Sequence, residues 1–287
     1  MDALNRLTTK IFDVLLTPFE LMGIELSLIL VSGIFGIIAL LIFKQISWQH
    51  GIKGVKGKIK GDMIAIRLYQ DDLAVVGGSV VKVFLRNFQY LSLNFLPILP
   101  LMVPFVLVMA QLAVRYSFAP IPVEDPSVAA SMLAGEGTML EIRMKPGREA
   151  DVAGMRMHLP PGLKEVSPLV RNATDGVAIQ EVIAIQGGEW EIELEFADGT
   201  RARKRIVTGD EPARTMQPER VASFWLSWLW PAEDRFDADS PLDSVKFEYP
   251  DRDLRWLPDG IGAVILIFFI SSMVFGAAIL KPLGIQI

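Results

Sequence analysis

Leu26-Ser-Leu-Ile-Leu-Val-Ser-Gly-Ile-Phe-Gly-Ile-Ile-Ala-Leu-Leu-Ile-Phe43 carries no charge, and Ser27 and Ser32 are its only polar side chains. A membrane-spanning helix needs about 20 mostly apolar residues. This run meets that length, with Glu25 before it and Lys44 after it. Two more runs share its character. Phe95 to Val114 has one polar side chain, Gln111, and Ile261 to Leu280 has only Ser271 and Ser272. Three such segments rarely coexist in a soluble fold, so the expected class is a membrane α-helical protein with three spans.

Working outward, the 51% hydrophobic and 21% charged residues of this 287-residue chain separate along the sequence. Residues 1–25 read as an interfacial amphipathic helix, with Leu4, Leu7, Ile11, Leu15, Phe19 and Met22 at helical spacing and Pro18 expected to bend it. Asp13, Glu20 and Glu25 precede the first apolar run and no small-residue cleavage site follows it. The N-terminal segment is therefore expected to be retained and not removed as a signal peptide. Transmembrane segments are expected at 26–43, 93–115 and 259–281. A helical hairpin is expected at 44–92, a β-rich domain at 116–258 and a short tail at 282–287.

Charge sets the expected orientation. The segment Lys44–Ser92 has eight basic and three acidic residues, whereas Pro120–Pro258 has 25 acidic and 16 basic. Lysine and arginine favour the cytoplasmic side. The hairpin and tail should then be cytoplasmic, and the N-terminus and residues 116–258 extracytoplasmic, in a cell (inner) membrane. Gly77-Gly78 is expected to be the hairpin turn, and the glycine-spaced run Gly51–Gly61 to weaken the first hairpin helix.

Pro97, Pro100 and Pro104 recur at gaps of three and four residues, on one helical face. Each lacks an N–H, so the carbonyls of Leu93, Leu96 and Pro100 are expected to lose their helical partners and that face to point at protein or water.

The 116–258 region reads as β-rich, in keeping with a β-sandwich. Thr138–Met144, Gly176–Ile185 and Glu189–Phe196 read as strands. Glu189, Glu191, Glu193 and Glu195 alternate with apolar residues, and Ala197-Asp198-Gly199 forms a three-residue hairpin loop. The resulting register sets Glu195 opposite Arg201, Glu193 opposite Arg203 and Glu191 opposite Arg205, so these glutamates are a solvated, charge-paired face. Trp225, Trp228, Trp230 and Trp256 are candidates for contact with the membrane interface. Asn172-Ala-Thr174 fits a glycosylation acceptor, and Asp237, Asp239 and Asp243 read as surface charge, lacking a calcium-loop pattern.

The chain has no cysteine and only two histidines, His50 and His158. Disulfides and thiolate chemistry are thereby excluded. His158 has no carboxylate and nucleophile at recognisable spacing and reads as structural. With no nucleophile–base pair, metal spacing or phosphate loop, the chain reads as a non-enzyme without cofactor or metal, and not as a DNA binder.

The first 120 residues resemble the YidC/Oxa/Alb superfamily of membrane-protein insertases, especially its short three-span branch. Ile11-Phe-Asp-Val-Leu-Leu-Thr-Pro-Phe19, Lys56-Gly-Lys-Ile-Lys-Gly-Asp62 with Arg67-Leu-Tyr69, and Leu96-Pro-Ile-Leu-Pro-Leu-Met-Val-Pro104 carry the likeness. It implies assisted insertion or assembly of membrane proteins through a polar groove open to cytoplasm and lipid. Ser27, Ser32, Asn94 and Gln111 would line that groove. Lys53, Lys56, Lys58, Lys60 and Arg67 would be the cytoplasmic contact surface for nascent membrane proteins or the ribosome. The sequence departs from the family in having no basic residue in the first span and in carrying the inserted β-rich domain. The competing expectation is a cell-envelope scaffold that presents this domain to a protein partner.

Overall fold

The computed structural model describes residues 2–125 and 137–283. Of the expected tail, residues 284–287 lie outside the described part. The helices are α1 (Asp2–Glu20), α2 (Ile24–Ile46), α3 (Gln49–Leu68), α4 (Leu73–Phe95), α5 (Ile98–Tyr116) and α6 (Gly260–Leu283). Among the described residues, three helical stretches are long and apolar enough to cross a membrane: Ile24–Ile46, Leu73–Tyr116 and Gly260–Leu283. This is consistent with a membrane protein. The chain forms two compact units, one of Ile29–Phe105 with Ile267–Ile287, the other of Met1–Leu28 with Val106–Leu266.

In the helical unit, α3 and α4 pack against each other as a hairpin. Its turn is Tyr69–Asp72, not Gly77-Gly78, which lie inside α4. The Asp72 carboxylate caps α4 by accepting from the N–H groups of Ala74 and Val75, at 3.0 and 3.1 Å. Such a cap stabilises a helix start by roughly 1 kcal/mol, and Gly77-Gly78 then fall in the second turn. Gly54, Gly57 and Gly61 are likewise helical, with open space where a side chain would project. Interhelical packing has overridden their weak intrinsic propensity.

The second span also differs from its expected 93–115 boundary. Residues 93–95 finish α4, Leu96 and Pro97 interrupt the helix, and α5 begins at Ile98. Pro100 sits in the first turn of α5, where its N–H is not needed. Pro104 lies deep inside α5 and frees the Pro100 carbonyl within the helix, whereas the carbonyls of Leu93 and Leu96, which Pro97 and Pro100 cannot serve, fall at the break between α4 and α5.

Among the described residues of the mixed unit, nine strands form two antiparallel sheets. They are β1 (Thr138–Met144), β2 (Arg156–His158), β3 (Leu163–Glu165), β4 (Val170–Asn172), β5 (Val177–Ala184), β6 (Gly188–Glu195), β7 (Arg201–Thr208), β8 (Glu219–Val221) and β9 (Leu242–Phe247). One sheet runs β3-β5-β1-β9-β8, with β4 also on β5; the other runs β2-β6-β7. The β6–β7 register pairs Glu195 with Arg201, Glu193 with Arg203 and Glu191 with Arg205, as the charge alternation requires. Gly199 at φ +83° closes the loop between them in a conformation that favours glycine. Both sheets contribute to one apolar core, with Leu140, Ile142 and Phe247 from the larger and Ile192, Leu194 and Ile206 from the smaller.

Candidate functional site

Within the helical unit, α2, the end of α4, α5 and α6 line an open-sided cavity of about 610 Å³. That is the size of a small-molecule site. Small residues make it possible. A Cβ on Gly36 would lie 2.1 Å from the carbonyl oxygen of Ser272, and one on Gly33 would lie 2.6 Å from the Phe275 ring. The backbones of α2 and α6 therefore approach closely, as small residues allow in membrane helices. Phe35, Phe105 and Phe268 interlock, with Phe105 edge-on to both others at 5.1 Å. In the cavity wall Phe43 and Leu101 cluster with Leu40 and Leu280, and Leu283 packs against them; Lys44 Nζ donates to the Leu283 carbonyl at 2.8 Å.

The walls are apolar almost throughout. Asn94 is the exception: its Nδ2 donates to the Tyr90 carbonyl at 2.8 Å, while its Oδ1 is buried without a partner. That oxygen is enclosed by its neighbours, so it meets an occupant only when the Asn94 side chain turns and gives up its bond to Tyr90. Ser272 also lines the cavity, but its hydroxyl donates to the Phe269 carbonyl at 3.0 Å.

The expected polar groove is not assembled. Of its four candidates, only Asn94 lines the cavity. Ser27 is buried and hydrogen-bonds the Tyr116 hydroxyl at 3.0 Å; Gln111 donates to Thr9 Oγ1 at 2.9 Å and more weakly to Thr8 Oγ1 at 3.4 Å. Ser32 is buried in α2 and is not a lining residue.

Lys53, Lys56, Lys58, Lys60 and Arg67 are all exposed along α3. Arg86 of α4 pairs with Asp62 and donates to the Lys58 carbonyl at 2.9 Å, which marks one flank of the hairpin. Helical geometry sets the other flank: Lys53, Lys56, Lys60 and Arg67 on α3, beside an unpartnered row on α4 of Leu73, Val80, Phe84, Phe88, Leu91 and Phe95. Every member of that row is half or more exposed. Its last two members, Leu91 and Phe95, are cavity walls.

The mixed unit holds two buried cations that the sequence reading did not single out. Arg115, with a side chain 1% exposed, sits 2.8 Å from Asp13 Oδ1 and donates to the Thr9, Arg214 and Gln111 oxygens at 3.1, 3.3 and 3.4 Å. The Asp13 contact lies off the N–H axis and counts as an ion pair only, and Arg115 Nε has no partner. Lys204 is fully buried, pairs with Glu233, and donates to the Gln217 and Arg205 carbonyls at 2.8 and 3.0 Å. Burial pushes its pKa down, and Glu233 opposes that shift. Strand parity was the available signal, since Lys204 alternates with Ala202 and Ile206 on the core side of β7.

The tryptophans divide. Trp225 and Trp256 are strongly exposed, Trp228 is half-buried with an unpartnered Nε1, and Trp230 packs with Phe118, Val207 and Met216. Trp230 is thus partly buried against a small apolar cluster, next to the buried Pro231. His158 faces Glu195 at 3.3 Å; that hydrogen bond, then Arg201, holds the Glu195 carboxyl below its ordinary range. Asp237 and Asp239 are exposed, and among the described residues no group of acidic or histidine side chains is arranged to hold a metal ion. No protein-family model, curated protein or solved structure matches this chain.

Proposed function

We propose that this protein is an insertase-like membrane chaperone that shelters an apolar segment of a client protein in the cavity among its spans. One observation carries the proposal: the unpartnered apolar row of α4 runs from Leu73 into the cavity wall at Leu91 and Phe95. Apolar surface of that length left bare in water is costly. A hydrophobic client helix laid along α4 covers it and delivers its end to the cavity. The cations on the α3 flank then meet acidic residues beside the apolar segment. Because the cavity is apolar, it favours hydrophobic segments and not the hydrophilic ones that a polar groove would serve. In this reading the hairpin and tail face the cytoplasm, and the two sheets form an extracytoplasmic β-sandwich.

The experiment is site-specific photocrosslinking in cells, with the probe at Phe84 on the row, at Met273 in the cavity and at Glu191 on the outer domain as control. Nascent membrane proteins captured at Phe84 and Met273, and not at Glu191, are the expected result. Adducts to phospholipid alone at both test positions would refute the proposal.

A further inference from the structure

An amphipathic helix on a water-soluble domain docks through its apolar side; α1 docks through its polar side. Asn5 Nδ2 donates to the Ser227 carbonyl at 3.0 Å, Arg6 Nε to Asp234 Oδ1 at 2.9 Å, and Thr9 Oγ1 to the Pro231 carbonyl at 3.4 Å. Gln111 and Arg115 reach Thr9 at 2.9 and 3.1 Å, and Arg214 Nη2 donates to Thr17 Oγ1 at 2.7 Å. Asn5 and Leu16 are buried on this face. The opposite stripe, Leu4, Leu7, Ile11, Val14 and Leu15, is left outside, with Leu7 56% and Val14 76% exposed.

The Asn5–Ser227 bond brings a second apolar element to the N-terminal end of that stripe. The loop Phe224–Leu229 exposes Phe224, Trp225, Leu226 and Leu229, and Trp225 is 75% exposed. The other end of α1 meets helix ends. Tyr116, the last residue of α5, donates to Glu20 at 3.3 Å, and α2 begins four residues after Glu20. The stripe therefore begins where two of the apolar stretches end, at the level where lipid headgroups give way to chains.

We propose that the loop Phe224–Leu229 is a membrane-insertion element of the β-rich domain, entering the same leaflet as the apolar stripe of α1. The occupant of both surfaces is phospholipid. Continuity with the helix ends places the C-terminal end of the α1 stripe at the interface, and the Asn5–Ser227 bond ties the loop to the stripe's other end. Their side chains are the Trp, Phe and Leu that partition there, to a depth of about 5–10 Å for a surface helix. Both surfaces belong to one compact unit, in which α1 holds the loop through Asn5 and Arg6. This holds whether or not the cavity receives clients.

The chain has no cysteine, so single labelling sites are clean. The full-length protein is reconstituted in phosphatidylcholine–phosphatidylglycerol nanodiscs. It carries one spin label at a time, through Leu7→Cys, Leu226→Cys, Leu229→Cys or, as an aqueous control, Asp239→Cys. Collision with oxygen and with a water-soluble nickel chelate is then measured. Labels at 7, 226 and 229 are expected to collide with oxygen and to be shielded from nickel, the reverse of 239. Nickel access at 226 and 229 equal to that at 239, with 7 shielded, would overturn the inference. Shielding of 226 and 229 from both reagents, with dipolar broadening between labels, would also overturn it, because a second copy of the chain would then cover the loop. Two loop positions keep the test valid if one variant folds poorly.

Discussion

Replacing Asp13 by alanine should release α1 from the mixed unit far more than its place in an N-terminal helix suggests. Arg115 is 1% exposed, and Asp13 is the one carboxylate within 4 Å of it among the described residues. Its other contacts are the neutral oxygens of Thr9, Arg214 and Gln111. Removing one partner of a buried ion pair costs about 3–5 kcal/mol, because a charge is left without compensation. The Asp13 side chain is 28% exposed and meets Arg115 off axis, so the lower figure, about 3 kcal/mol, applies. At 1.4 kcal/mol per decade, this raises the undocked population by roughly 100-fold. A Leu16→Cys background reports it, since Leu16 is buried beneath α1 and no other thiol exists. Maleimide labelling should accelerate by about that factor in Asp13→Ala. It should fall back to within a few-fold of the background when Arg115→Met is added, because the stranded charge is then gone. Arg6→Ala is the internal comparison. Its pair with Asp234 has an arginine side chain 68% exposed, so a change of at most about fivefold is expected. If Asp13→Ala labels no faster than Arg6→Ala, Arg115 does not depend on Asp13 and the account of α1 docking is wrong.

Lys204→Met should destabilise the β-rich domain by about 3 kcal/mol by stranding Glu233, which chemical denaturation followed by tryptophan emission would measure. A loss below about 1 kcal/mol would mean that the pair is solvated in practice. Gly36→Ala should cost about 1–3 kcal/mol, because the new Cβ meets the Ser272 backbone and not a side chain that can swing aside. Thermal unfolding in detergent reads this out, and an unchanged midpoint would show that α2 and α6 are not closely packed. For pH, the hydrogen bond from Arg6 holds the Asp234 carboxyl below its usual 3.8. A folded-state pKa below the unfolded one stabilises above the unfolded value and is lost as pH falls through the folded value. The small stability deficit expected of Asp234→Asn at pH 6 should therefore shrink as pH falls past about 3.8 and vanish once pH lies below the folded-state value. A deficit that persists there would exclude the ion pair as its source.

What the sequence disclosed follows from the range of the forces involved. The β6–β7 register was legible because alternation and three facing charge pairs lie within a 21-residue stretch. The three long apolar helical stretches were legible because length and composition are written in contiguous segments. The hairpin turn was misplaced because two glycines drew attention from Asp72, whose capping of Ala74 and Val75 outweighs them once α3 packs on α4. The docking of α1 was out of reach. Its amphipathic pattern is legible, but the pattern does not say which face meets protein, and Asp13 and Arg115 stand 102 positions apart.

The same long-range contacts explain why polarity failed as a guide to the groove. Ser27 and Gln111 look like groove residues because polar groups within apolar segments need a reason. Their reason is local to the mixed unit: Ser27 satisfies Tyr116, and Gln111 holds Thr8 and Thr9 of α1. With those two hydroxyl and amide groups engaged there, the cavity of the helical unit keeps Asn94 Oδ1 as its unsatisfied acceptor. A cavity with that lining cannot lower the cost of moving a charged or strongly hydrated segment through lipid, since it replaces few of the hydrogen bonds such a segment loses. It can hold apolar side chains, and a turn of the Asn94 side chain would offer its oxygen to those that bring a donor. Asn94→Leu should therefore leave capture of purely apolar client segments intact at Met273 and weaken capture of those that bring a hydroxyl or amide donor. Equal loss for both kinds of segment would mean that Asn94 shapes the cavity and does not select its occupant.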